Sequence, residues 1–177
     1  MTLFIVQFEI IKKDKIIKRF FFMSNNYINI YNNLVSLTRN KELYKNFLNQ
    51  DTFSDRLIFF LLHFAFFLKV FKKEQDKKIL QDIYDYLFRQ LELSIREIGY
   101  GDQSINKKMK DYLNLLYSML DKIDLWEKLS LEERRSIMSI FVNTRADNNF
   151  LAEYFEKYRI ILLNNTLNSY IKGVVKH

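Results

Sequence analysis

The stretch Ser94-Ile95-Arg96-Glu97-Ile98-Gly99-Tyr100-Gly101-Asp102-Gln103-Ser104-Ile105-Asn106-Lys107-Lys108-Met109-Lys110 decides the fold of this 177-residue chain. Two of the three glycines stand here, two residues apart, and the chain has no proline. On the N-terminal side, Ile79, Leu80, Ile83, Leu87, Leu91 and Ile95 recur with the period of one helix face, over about residues 76–98. On the C-terminal side, Met109, Tyr112, Leu113, Leu116 and Leu120 do the same to about Ile123. The stretch therefore reads as a corner between two amphipathic helices. Gly99 sits where a left-handed cap ends the first helix. Gly101 is expected to supply a second unusual dihedral, and Ser104 to cap the second helix. Asp102 precedes that helix, where its carboxylate meets free N–H groups, and Arg96 can reach back to it.

The same helical period extends outward from this corner. Tyr27, Ile30, Tyr31, Leu34 and Val35 share one face, and a shorter helix around Glu42–Leu48 carries Leu43, Tyr44 and Phe47. Thr52 or Ser54 caps the next helix, with Asp55 in its first turn. Within it, residues 57–71 are apolar except for His63 and Lys69. A bilayer span needs about 20 apolar residues; this run is shorter and carries a charge near its end, so it reads as the buried central helix of a bundle. Ser130-Leu131-Glu132-Glu133 is a capping box. One long last helix, about 147–171, is expected to bury Leu151, Tyr154, Phe155, Tyr158 and Leu162.

A β-sandwich or a doubly wound α/β fold needs turn formers that this chain lacks. The expected fold is all-α: a single compact bundle of about six or seven helices, with a nearly all-apolar central helix at about 52–73. Residues 1–22 differ. Phe4, Val6, Phe8 and Ile10 alternate with their neighbours and a lysine-rich stretch follows, which reads as an irregular or weakly β extension before a helical domain at 23–177. The lysines follow the apolar run and no small-residue cleavage site is present, so it does not read as a signal peptide. Met23 offers an alternative start of translation.

Apolar residues make up 49% and charged residues 28%, a globular balance. Without cysteine there is no disulfide, Cys-type zinc site or Cys nucleophile. The net charge of +7 suits phosphate-rich partners such as ribosomes or anionic lipid, and equally a solvated lysine-rich surface. Heavy use of Phe, Tyr, Ile, Asn and Lys reads as AT-rich coding in a bacterium of reduced genome. The chain holds no phosphate-cradling glycine loop, HExxH, GxSxG or EF-hand loop. His63 is the one internal histidine, and Phe66 and Phe67 occupy the positions where a second helical ligand would stand. It reads as a core histidine with satisfied hydrogen bonds. Asp82/Asp85 and Glu132/Glu133 read as solvated faces. No catalytic residue, metal site or cofactor is expected.

The corner resembles the signature of the ubiquinol–cytochrome c chaperone family, which runs Leu-Arg-Glu-aliphatic-Gly-Val-Gly-Asp and then Lys/Arg-Lys/Arg-Met-Lys. Arg96, Glu97, Gly99, Gly101, Asp102, Lys107, Lys108, Met109 and Lys110 match, with Ile95 for Leu and Tyr100 for Val. A second block, Asp51-Thr52-Phe53-Ser54-Asp55-Arg56 followed by Leu62-His63, resembles the family's Asp-Thr-x-x-Gly-Arg and Leu-His, with Asp55 in place of Gly. A third, Thr38-Arg39 through Leu43-Tyr44, resembles its Ala-Arg and Tyr block. The blocks span about residues 27–143.

The resemblance implies a non-catalytic assembly chaperone for the cytochrome bc complex. Its client would be newly made cytochrome b or another subunit of that complex. Relatives also meet the ribosome, so the ribosome is a further expected partner; DNA and small-molecule substrates are not. The implied location is cytoplasmic, peripheral to the inner face of a bacterial inner membrane. Arg56, His63, Arg96, Glu97, Gly99, Gly101, Asp102, Lys107, Lys108 and Lys110 become the partner-binding candidates, at the corner or in a groove beside the 57–71 helix. The alternative is a basic helical adaptor at a membrane surface or on ribosomal RNA, using Lys107, Lys108 and Lys110.

Overall fold

A computed structural model describes residues 27–44, 52–72, 77–142 and 148–176. The expectations for 1–22, and for the short helix beyond Tyr44, lie outside these residues. Among the described residues every regular element is helical. Helix α1 runs through 27–38 and is followed by a 3-10 turn, Lys41–Tyr44. Then come α2 (Phe53–Phe71), α3 (Lys77–Glu97) and α4 (Asp102–Lys122). A second 3-10 turn, Trp126–Lys128, leads to α5 (Leu131–Phe141), α6 (Asn148–Leu163) and α7 (Leu167–Lys172).

Of the two candidate caps for α2, Thr52 is the one used. Its hydroxyl accepts from the Asp55 N–H at 3.2 Å, and the Asp55 carboxylate accepts from the Thr52 N–H at 3.1 Å. From Phe59 to Phe67 every residue of α2 is buried. A helix apolar all round is stable only when covered all round, and α4 and α6 both pack on α2. Burial of each phenylalanine side chain there contributes about 2 to 3 kcal/mol. Phe66 is sandwiched, stacked on Phe155 at 5.2 Å and edge-on to Trp126 at 5.0 Å.

The α3 stripe lies as its period requires: Ile83, Leu87, Leu91 and Ile95 are buried. Aromatic rings separate α3 from its neighbours. Tyr84 stacks on Phe64 at 6.3 Å and Tyr86 meets Tyr27 at 6.2 Å. Tyr31 Oη lies 3.5 Å from Ser94 Oγ. On α4, Leu116 is buried, as are Ile105, Met119 and Ile123, which the stripe Met109–Leu120 omitted. The capping box at Ser130 forms with Glu133.

The single long C-terminal helix is corrected to two. α6 stops at Leu163 and α7 restarts at Leu167, with Thr166 in extended conformation taking the Ser169 N–H. The physical reason lies in Asn165: its amide donates to the Ile161 carbonyl and to Lys176 O, and its oxygen accepts from the Lys176 N–H, each at 2.9 Å. Asn and Thr side chains compete for backbone groups in this way and end helices. α7 also docks on α1, where Asn29 donates to the Ile171 carbonyl at 2.9 Å.

Candidate functional site at the turn between α3 and α4

α3 ends in a tight closure. The Ile98 N–H donates to Ser94 O and the Gly99 N–H to Arg96 O, at 3.3 and 2.9 Å. Gly99 then takes φ +97°, a backbone region unfavourable for side chains with a Cβ. Two expectations need correction here. Gly101 has φ −73° and ψ 158°, ordinary extended backbone, and it, not Ser104, is the N-cap of α4. Ser104 lies inside the helix, and Asp102 is its first residue rather than a residue ahead of it. A glycine accepts the N-cap role because the position needs only an extended residue before the first turn.

Arg96 does close the turn. Its Nε and Nη2 donate to Glu92 Oε1 at 3.0 and 2.7 Å, and its Nη1 pairs with Asp102 Oδ1. The Asp102 hydrogen bond, then that of Glu92, raises the guanidinium pKa further. One arginine thus ties the last turn of α3 to the first of α4. All of this is exposed, so water screens both pairs and they fix geometry more than they add stability.

Every residue from 96 to 104 is solvent-exposed. Ile98 is 52% and Tyr100 42% exposed. Lys108 Nζ sits 4.5 Å above the Tyr100 ring, a cation–π contact. Glu97, Lys107 and Lys110 face solvent. Of the candidates, Arg96, Glu97, Gly99, Gly101, Asp102, Lys107, Lys108 and Lys110 therefore gather at one end of the bundle.

Arg56, in the first turns of α2, is exposed and adjoins this end. With Phe53 it borders an apolar groove of about 190 Å³ between α1, α2 and α3, walled by Tyr31, Leu57, Phe60 and Leu91 and reaching Ser94. Ile98 follows Ser94 by one helical turn. The corner and the groove beside α2 are neighbours.

His63 does not join them. It is 0% exposed and faces α6. Its Nδ1 lies 2.6 Å from the Phe59 carbonyl, which can only accept, so Nδ1 carries the proton. Its Nε2 then accepts from Tyr154 Oη at 2.9 Å. Burial drives the His63 pKa from 6.5 down to about 4, against a smaller opposing effect of the Phe59 bond. The ring is neutral at pH 7, with both nitrogens occupied. Tyr158 Oη beside it is buried with no hydrogen-bond partner among the described residues. Nowhere among the described residues do three His, Asp or Glu side chains gather as a metal site requires.

Two polar arrangements escaped the sequence reading. Lys69, counted as an interruption of α2, donates to the Ile123 and Asp124 carbonyls and pairs with Glu127 Oε2 at 2.7 Å. It neutralises the carbonyl end of α4, where a cation is favoured. Glu156 accepts from Trp126 Nε1 at 2.8 Å and twice from Arg159, at 3.0 and 2.6 Å, with Arg134 at 3.4 Å. Burial alone would raise its carboxyl; the Arg159 and Trp126 bonds outweigh this and hold it below the usual carboxylate range. The one legible signal was the Glu156–Arg159 spacing on a helix.

Residues 45–128 match the family model for the ubiquinol-cytochrome C chaperone. The chain is similar to this family over that segment, just under half of its length. The chaperone match spans α2, α3, the turn and α4, and begins just after the Thr38–Tyr44 block. The chain is also similar in structure to the Cbp3 homolog from Brucella abortus, with a TM-score of 0.67 and 19% sequence identity, over 92% of this chain and 94% of that one. At that identity the likeness is one of fold. No curated protein matches the sequence. No helix among the described residues is long and apolar enough to cross a membrane.

Proposed function

We propose that this chain is an assembly chaperone that holds newly made cytochrome b, without catalysis, at the inner face of a bacterial inner membrane. The supporting observation is the family match over 45–128, which contains the whole α2–α3–α4 unit and its closed turn. The client side is the apolar groove between α1, α2 and α3, with Arg56 and Phe53 beside it. Such a groove accepts an apolar segment that has not yet reached its place in a complex. The hydrogen-bonded, neutral His63 argues against acid–base chemistry, since catalysis needs a group that can reach substrate. Cofactor, DNA and small-molecule substrate have no part in this reading.

Deletion of the gene is expected to lower cytochrome b and the assembled bc complex, read by haem spectra and native gels; normal levels of both would end the proposal. Within the protein, Phe53→Asp with Arg56→Glu is expected to reduce co-purification of cytochrome b at unchanged helical content. A second reading, a ribosome-associated adaptor, is favoured only by the exposed Lys107 and Lys110. Ribosome sedimentation that weakens with salt would support it.

A further inference from the structure

We propose that the tip between α3 and α4 is a docking surface for an anionic lipid bilayer. Ile98 and Tyr100 enter the interface, and Lys107 and Lys110 meet the headgroups. The inference rests on the reading of this chain as a helper of a membrane-embedded complex, and it adds which end faces the membrane.

Shape is the first argument. Sites for peptides and small ligands are concave, whereas residues 96–104 are exposed without a break and form a protruding tip. Two of its largest apolar side chains, Ile98 and Tyr100, are 52% and 42% exposed, while the α3 stripe that ends at Ile95 is buried. The Arg96 clasp to Glu92 and Asp102 holds this tip in one shape.

Charge and height follow. With α4 upright, a rise of about 1.5 Å per residue puts Lys107 about 8 Å and Lys110 about 12 Å above Asp102. Interfacial protein segments sink about 5–10 Å into the headgroup boundary, which brings those ammonium groups to headgroup level. Lys108 folds down onto the Tyr100 ring instead. The carboxylates of Glu92 and Asp102 are occupied by Arg96, and Glu97 lies on the α3 side. Lys107 and Lys110 pair with no carboxylate among the described residues. Nucleic acid would satisfy the lysines and could stack on Tyr100 but would leave Ile98 without a role. Phe53, 40% exposed, lines the groove with Ser94, which precedes Ile98 by one helical turn. It continues the apolar contact toward the groove, so a client held there would lie at the bilayer surface.

A chain without cysteine allows a direct test. Single-cysteine variants Tyr100→Cys and Lys157→Cys, the latter an exposed position on α6, carry an environment-sensitive fluorophore. The labelled proteins are mixed with phosphatidylcholine vesicles with and without phosphatidylglycerol. A blue shift is expected at position 100, with anionic vesicles only, and none at 157. Lys107→Ala with Lys110→Ala weakens binding by about thirtyfold, and salt weakens it further. Ile98→Ser weakens it at unchanged circular dichroism. Absence of a shift at position 100, equal binding to neutral vesicles, or a response to ribosomes but not to vesicles overturns the proposal. The assay needs no cytochrome b, so its failure leaves the chaperone reading standing, and failure of the deletion test leaves the vesicle result standing.

Discussion

Around His63 and around Arg96 the chain solves the same problem, a polar side chain held by several hydrogen bonds, in opposite surroundings. His63 lies among Phe59, Tyr154, Phe155 and Tyr158, cut off from water. Arg96 has three donors engaged at a fully exposed tip. In the first place water cannot replace a lost partner; in the second it can. The α2–α6 interior should therefore carry the stability of the bundle, and the α3–α4 tip should tolerate change that shows only in what the protein binds.

The largest effect that tests this contrast is Phe66→Ala. Removing a ring held between Trp126 and Phe155 is expected to cost about 4 kcal/mol, measured by urea unfolding. A loss no larger than that from a tip substitution would break the comparison.

Next is the pH dependence of His63. The folded pKa of about 4 lies below the ordinary 6.5, so between these values the unfolded chain binds a proton that the native chain refuses. Stability is complete above about pH 6.5 and falls by about 3 kcal/mol as pH drops toward 4. His63→Gln should flatten unfolding curves in that window, whatever its effect at pH 7. Glu156, also held below its ordinary pKa, loses its contribution only at lower pH, because its stabilisation disappears as pH falls through its folded pKa.

At the turn, the two glycines should differ. Gly99→Ala places a Cβ at φ +97° and is expected to cost about 1 kcal/mol. Gly101→Ala has an ordinary φ and no heavy atom within 4 Å of the new Cβ, so it should change stability by less than about 0.5 kcal/mol. Equal costs would show that the backbone here is not as described. The smallest effect is that of Arg96→Ala, which is expected to shift thermal unfolding no more than Gly101→Ala does, because water replaces its partners; a loss as large as that of Phe66→Ala would move the tip into the same class as the interior.

Local chemistry made much of this legible in advance. The capping boxes at Thr52 and Ser130, the stripes of α1 and α3, the left-handed Gly99 and the Arg96–Asp102 pairing all involve residues within about two helical turns of one another. The candidate surface was legible for the same reason, since its residues are nearly consecutive. The misreadings were local too, but arose where two signals competed. Ser104 looked like a cap only because Gly101 has no side chain to advertise one. Asn165 and Thr166 could not break an apolar stripe that continues in register through Leu162.

The sequence by itself determined that this chain is helical and where most helices begin and end, because each residue's neighbours along the chain settle caps and periodicity. It also carried the family signature. Only the tertiary structure decided which polar residues are interior. Lys69 meets carbonyls more than fifty residues away, and Glu156 collects Trp126, Arg134 and Arg159 from two helices and a turn. It likewise chose Phe59 and Tyr154 as the partners of the core histidine His63 and set Phe53 on the same groove as Ser94. Pairings across such separations follow from how helices pack, and no periodicity along one helix records them.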